Sequence, residues 1–197
     1  MPVTGWKQLA PGYFYTILAV CLIALTHSEE FSWRQNVLFV CFGVLSWTLI
    51  EYVLHRFIFH YSARSDAGKK FVYAAHLSHH ETPRTANNFF SSLVISLPIA
   101  TAYALLAWIV TGSLHAAAYL FAGLAAGYFC YEWLHFQAHH RRPRLRVLRY
   151  LRKYHLLHHY QTPELRFGVT APLLDVLMGT FRPVRKPLKF ASRQTKT

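Results

Sequence analysis

Four stretches of the chain, Tyr13 to Thr26, Val37 to Leu54, Leu93 to Val110 and Leu114 to Leu134, are almost wholly apolar. Glu51 and Glu132 are the only charged residues within them. An α-helix rises about 1.5 Å per residue, so roughly 20 apolar residues cross about 30 Å of hydrocarbon. Two of the stretches reach or approach that length. The first becomes adequate if Trp6 to Pro11 form an interfacial lead-in, with Trp6, Tyr13 and Tyr15 as aromatic anchors. A soluble domain of 197 residues would rarely need four such helices. The pattern predicts an all-α integral membrane four-helix bundle, with helices at about 13–26, 37–54, 93–110 and 114–134. Segments 55–92 and 135–181 then form a helical cap, followed by a loose tail over 182–197, all within one domain covering 1–197. The sequence has no repeat of fixed period and no Gly/Ser linker.

Composition narrows this further. Charged residues are 15% of the chain, against roughly 25% in soluble domains, and 53% of residues are hydrophobic, which excludes a disordered chain. Lys and Arg number 21 against 8 Asp and Glu, giving a net charge of +13 and a pI near 10.0. Such a charge fits nucleic acid or a membrane, and its placement decides between them. Segment 27–36 holds Arg34 alone against Glu29 and Glu30, and turn 111–113 holds no charge. Segment 55–92 contains Arg56, Arg64, Lys69, Lys70 and Arg84, and the tail after His140 carries most of the remaining basic residues. Lys and Arg collect on the cytoplasmic side in short loops, so both long segments are expected there. With Lys7 ahead of the first helix, both termini are placed on the same side. The N-terminus shows no convincing cleavable signal, so the first helix is expected to remain. Cys21, Cys41 and Cys130 lie within proposed helices and read as free, buried thiols.

The 13 histidines sharpen the reading most. His27 and His115 stand alone at the non-cytoplasmic ends and are assigned no role. The other eleven form four groups on the cytoplasmic side: His55-x-x-x-x-His60, His76-x-x-His79-His80, His135-x-x-x-His139-His140 and His155-x-x-His158-His159. On a helix, residues at i, i+3 and i+4 share a face, so His76, His79 and His80 are expected to converge on one point, as are His155, His158 and His159. His135 and His139 form a facing pair. His55 and His60 fall about 140° apart on an ideal helix, which suggests that helix two unwinds between them. Each ligand set would then come from its own segment. Neutral imidazole binds Zn, Cu, Fe and Ni, and about ten imidazoles exceed what one ion can use, so two metal ions are implied. A structural zinc site is typically Cys-rich with four ligands, whereas this one is all histidine and over-supplied, which points to a reactive centre. Glu51, one turn before His55, and Glu132, three residues before His135, are placed to accept the second ring N–H of those histidines.

In order and spacing, these boxes resemble the fatty acid hydroxylase and sterol desaturase superfamily of histidine-rich di-iron membrane enzymes, over roughly Ile50 to Pro183. The run from Glu51 to His60 looks like the first box of fatty acid 2-hydroxylases. The run from Phe167 to Thr180 looks like the segment closing the superfamily's domain. The resemblance implies His55, His60, His76, His79, His80, His135, His139, His155, His158 and His159 as metal ligands. His140 is the alternative if the third box follows the pattern of bacterial carotenoid hydroxylases.

The resemblance further implies two Fe ions, with zinc able to replace them in isolated protein, and O2 as co-substrate. The expected reaction is hydroxylation of an unactivated C–H bond of a membrane lipid, most simply an acyl chain. A carotenoid ring hydroxylase or a sterol or lipid desaturase is the alternative within the superfamily. With no haem motif for a fused cytochrome b5 domain, electrons are expected from a separate donor of cytochrome b5, ferredoxin or reductase type. The basic run Arg141, Arg142, Arg144, Arg146, Arg149, Arg152 and Lys153 suits anionic lipid phosphates or an acidic electron donor. The expected location is a bacterial inner membrane or the endoplasmic reticulum. A metal transporter would place histidines or carboxylates deep in the helices. A nucleic-acid binder would interleave aromatics with the basic residues, where Arg141 to Arg152 has only Tyr150, so no nucleic-acid partner is expected.

Overall fold

Local chemistry sets the start of each long helix. Pro11 sits in the first turn of α1 (Ala10–Thr26), where its missing N–H costs nothing. Ser32 and Gln35 form a reciprocal capping box that starts α2 (Trp33–Val53) four residues before its apolar run. Ser65 caps α3 (Asp66–Val72), which runs on through Tyr73–Leu77 into the short α4 (Ser78–Glu81). Next come α5 (Phe89–Thr111), α6 (Leu114–His140) capped by Ser113, α7 (Arg146–Tyr160) and α8 (Leu173–Leu177). This computed structural model describes residues 9–83 and 89–184, and no strand occurs among them. Trp6, Lys7, Arg84 and the tail from 185 onward lie outside the described residues.

Helix α6 is the hub, since α1, α2, α5 and α7 all pack on it. Small residues permit the closest approach. A Cβ on Gly43 would lie 2.8 Å from the Cα of Gly123, and one on Gly127 would lie 2.6 Å from the Cβ of Trp47. Lipid tails offer little drive for helices to associate, so such close backbone contact carries much of the association energy. Around it pack Tyr15, Ala19, Trp47, Ala100, Phe121, Leu124 and Ala125. The Tyr128 ring meets Tyr15 and Trp47 edge-on at 5.5 and 5.0 Å.

Among the described residues, three helical spans are long and apolar enough to cross a membrane: Trp33–Phe59, Leu93–Thr111 and Leu114–His140. The apolar α1 is shorter, and its 17 residues extend about 26 Å. Outward-facing Leu25, Val94, Ile109 and Val110 are among the most exposed large apolar side chains, as lipid-facing positions would be. Cys21, Cys41 and Cys130 are free as expected but exposed on the helix surfaces rather than buried, because the interhelical seams are filled by Gly, Ala and aromatic side chains. The fourth apolar helix continues unbroken past Leu134 to His140.

At the end of α6 away from the histidine boxes, His115 is buried and has a structural use. Its Nδ1 accepts the Ser28 N–H at 3.0 Å, and its Nε2–H donates to Asn36 Oδ1 at 2.7 Å. It thereby ties the α1–α2 connection to α6.

Candidate metal centre

Helix α2 does not unwind at the first histidine box. It widens into a π-helical stretch over Leu54–Phe59, and a second one over Tyr73–Leu77 contains His76, the first histidine of the second box. In an i→i+5 hydrogen-bonded turn, residues five apart come nearly into line. His55 and His60 therefore approach, with ring centroids 5.2 Å apart.

The boxes also do not each converge on one point. His55, His60, His76, His80 and His158 form one quintet, and His79, His135, His139, His155 and His159 form another. Within each, one nitrogen per ring lies within 4.8 Å of all the others. The helix period explains the split. Residues at i and i+4 differ by about 40° in direction, whereas i+3 and i+4 differ by about 100°. His76 and His80 thus serve one quintet while His79 turns to the other, and His155 and His159 part from His158 in the same way. All ten histidines assigned to the centre fall in the two quintets. His140 falls outside them, with its ring stacked on Phe136.

Nitrogen meets nitrogen at close range inside each quintet. His55 Nε2 lies 3.0 Å from His76 Nε2, His80 Nε2 3.0 Å from His76 Nε2, and His158 Nε2 3.1 Å from His60 Nε2. In the second quintet, His139 Nε2 lies 3.1 Å from His79 Nε2 and 2.9 Å from His155 Nε2. The Nε2 of His135, the Nδ1 of His155 and both ring nitrogens of His159 are buried with no hydrogen-bond partner among the described residues. Burial, together with neighbouring imidazoles, holds His79 down at about 4. Burial alone does so for His80, and His158 and His159 are pushed lower still. The rings are therefore neutral near pH 7, each with one N–H and one lone pair, so ring lone pairs converge in a largely buried site. That is costly unless a cation lies between them. Two nitrogens each about 2.1 Å from an ion and at right angles around it lie about 3.0 Å apart, so the donor set fits two metal ions.

The tautomers of two rings are fixed from behind. His55 Nδ1–H donates to the Phe167 carbonyl at 2.6 Å and His158 Nδ1–H to the Leu165 carbonyl at 2.7 Å, leaving both Nε2 lone pairs for metal. Glu51 does not meet His55, because that role is taken by the Phe167 carbonyl. The buried carboxylate instead accepts the N–H of Val169 at 2.5 Å, the N–H of Thr170 at 3.0 Å and the Thr170 hydroxyl, so it acts on the segment that His55 leans upon. Glu132 likewise turns away from His135 and accepts the Gly12 N–H at 2.7 Å, joining α6 to α1. It is Tyr131 that stacks on His135, with centroids 5.6 Å apart.

Asp175, which the spacing of the histidines gave no reason to single out, is fully buried. It accepts the N–H groups of Phe167 and Gly168 at 2.8 Å each and the Thr180 hydroxyl at 2.7 Å. Tyr52 adds its hydroxyl to Thr180 at 2.8 Å, and Arg56 donates to Tyr52 at 2.8 Å.

Comparison with known proteins agrees with this arrangement. A family model described as fatty acid hydroxylase matches residues 40–180. Dihydroceramide fatty acyl 2-hydroxylase FAH1 of Arabidopsis thaliana is 35% identical over 195 residues, covering 96% of this chain and 78% of that protein. FAH2 of the same plant is 31% identical, covering 93% and 80%. The ceramide very long chain fatty acid hydroxylase SCS7 of Saccharomyces cerevisiae is 36% identical over 178 residues, covering 79% of this chain and 42% of that protein. The solved structure of full-length scs7p, in which only the hydroxylase domain is visible, superposes with a TM-score of 0.70 at 29% identity, covering 92% of this chain and 67% of that one. A match over most of the chain, apolar helices of membrane-crossing length and two histidine quintets agree on one conclusion: the chain belongs to the fatty acid hydroxylase family and is a membrane-associated hydroxylase.

Proposed function

We propose that the ten histidines of the two quintets hold two iron ions, and that the protein uses O2 to hydroxylate an unactivated C–H bond of a membrane lipid acyl chain, at carbon 2 as the names of its relatives suggest. The observation carrying this reading is the gathering of ten ring nitrogens, most of them on buried residues, from α2, the α3–α4 run, α6 and α7 at one end of the helices. When bound, the ions supply O2 activation and hydrogen abstraction, which no side chain here can perform.

The chain's own residues supply the setting. The Phe167 and Leu165 carbonyls hold His55 and His158 in the ligating tautomer. Burial keeps the imidazoles unprotonated and excludes bulk water. A transporter would carry its histidines deep within the helices, and these lie at their ends. Zinc can occupy the same nitrogens in isolated protein.

One oxygen atom enters the substrate and the other leaves as water, so two electrons and two protons must arrive from a separate donor of cytochrome b5, ferredoxin or reductase type. Arg141, Arg142, Arg144, Arg146 and Arg149 are exposed beside the second quintet's helices and suit an acidic donor surface. The histidine end also carries Arg56, Arg64, Lys69 and Lys70, while the opposite connections hold Arg34 against Glu29 and Glu30. This favours a cytoplasmic active site and cytoplasmic termini, in a bacterial inner membrane or the endoplasmic reticulum.

The test is expression in a host lacking the activity, followed by lipid mass spectrometry. Acyl lipids should gain one oxygen, positioned at carbon 2 by fragmentation, and His158→Ala should abolish the product. Loss of two hydrogens instead would indicate desaturation, and a lipid profile identical for the parent and His158→Ala would refute the enzyme reading.

A further inference from the structure

The first quintet is braced from outside, and the brace leads back to one carboxylate. His55 and His158 lie 103 positions apart in sequence, yet each donates its Nδ1–H to the same short turn, at Phe167 and Leu165. Between those carbonyls, Arg166 adopts a left-handed backbone with φ 64°, the only non-glycine residue with positive φ among the described residues. That conformation is sterically disfavoured for an L-residue, so the turn must be held by its surroundings. The Arg166 N–H donates to the Thr180 carbonyl at 3.2 Å, and its side chain reaches the Arg182 carbonyl and the Thr162 hydroxyl. The next two N–H groups, of Phe167 and Gly168, are both taken by the Asp175 carboxylate, one on each oxygen. Gly168 permits this approach, since a Cβ there would lie 3.0 Å from Asp175 Oδ2 and run into the Ala171 carbonyl.

We infer that Asp175 is a positioning residue for the metal centre. By clamping the 167–168 amides it fixes the carbonyls that orient His55 and His158, and it acts on the first quintet rather than the second. In the second quintet the Nδ1 atoms of His155 and His159 have no hydrogen-bond partner among the described residues, so no equivalent brace reaches them. The inference rests on the proposed metal-centre reading and adds a residue outside both quintets to it. Partners that orient metal-bound histidines typically change metal affinity about 10–100-fold when removed, and that is the size of effect expected here.

The test separates the quintets. Full-length protein is prepared in a His155→Ala background, which leaves the first quintet whole, and in a His158→Ala background, which leaves the second whole. Each is loaded with Zn(II) and titrated with a chelator, and retained zinc is counted by elemental analysis. Asp175→Asn should lower the chelator concentration that strips half the zinc by about 10–100-fold in the His155→Ala background and by less than about twofold in the other. Thr180→Val, which removes the hydroxyl hydrogen bond to the Asp175 carboxylate while keeping the shape of the Thr180 side chain, should shift release in the same direction by less, and serves if Asp175→Asn does not fold. A merely structural aspartate would lower thermal stability and speed release equally in both backgrounds, and that result, or no shift in either, overturns the inference. A parent chain that holds no zinc overturns the metal-centre reading and this inference with it.

Discussion

Replacing Glu51 with leucine and with glutamine separates its contribution as an acceptor from that of its charge. The carboxylate lies in the interior of α2 and accepts two backbone N–H groups and one hydroxyl from residues 169 and 170, more than 115 positions away. Leucine leaves the Val169 and Thr170 amides buried without an acceptor, at about 1–3 kcal/mol each, or roughly 2–6 kcal/mol together. The Thr170 hydroxyl can rotate and adds little. Glutamine keeps a carbonyl oxygen for the two amides and turns its NH2 toward Thr170 Oγ1, which accepts instead of donating. The loss is then the charge assistance alone, about 1 kcal/mol. For a chain of this size 1 kcal/mol moves the unfolding temperature by about 2–4 °C, so Glu51→Gln should lower it by a few degrees and Glu51→Leu by roughly 5–20 °C. The assay is thermal unfolding in one detergent at one fixed scan rate, because unfolding of such proteins is often irreversible. Glu51→Gln should also retain its metal, since His55 leans on Phe167 and not on this carboxylate. Equal losses for the two variants, or metal lost from Glu51→Gln without a matching fall in stability, would refute the reasoning and restore a direct Glu51–His55 contact.

Other consequences follow from the same geometry. Gly123→Ala places a methyl group against the Val40 backbone and 2.8 Å from Gly43 Cα, and should destabilise the α2–α6 seam by about 1–3 kcal/mol or more, read as a lower unfolding temperature with little change in metal content per folded chain. His139→Ala should lower bound metal while His140→Ala retains two ions, as elemental analysis of the purified variants would show; the opposite result would move the third box to His140. Metal-free protein should lose stability as pH falls from about 6.5 toward 4. The unfolded chain takes up protons near the ordinary imidazole value of 6.5, whereas the buried His79 and the half-buried His60 and His80 resist until about 4. Thermal scans of the metal-free protein at pH 7 and pH 5 check this, and equal unfolding temperatures would contradict it.

The sequence made some features plain for physical reasons and concealed others. Uninterrupted apolar runs have little use except as buried or membrane helices, so α2, α5 and α6 were legible within a few residues. The capping box at Ser32 and the continuation of α6 through His139 involve polar residues that hydropathy discounts. Eleven histidines in four groups pointed to one shared site, and ten of them meet there, but they divide in a way that ideal helical geometry does not show. The spacing of His55 and His60 becomes intelligible only once the helix widens, and His76 parts from His79 because a quintet draws on several helices at once. Glu51 and Glu132 each stand within one turn of a histidine in sequence, yet their partners are Val169, Thr170 and Gly12, which only the fold brings near. Asp175 lies within the closing run Phe167 to Thr180, but nothing local marks its role, since its meaning lies in amides that the fold brings to it.

The proposed centre consists of two metal ions held by two interleaved histidine sets. The most direct measurement is the iron content of protein purified from iron-replete cells without chelators, set beside His158→Ala and His155→Ala. Two ions per chain are expected in the parent and fewer in each variant, because each substitution removes a ligand from a different quintet. A parent holding one ion or none, or variants that both keep two, would contradict that centre.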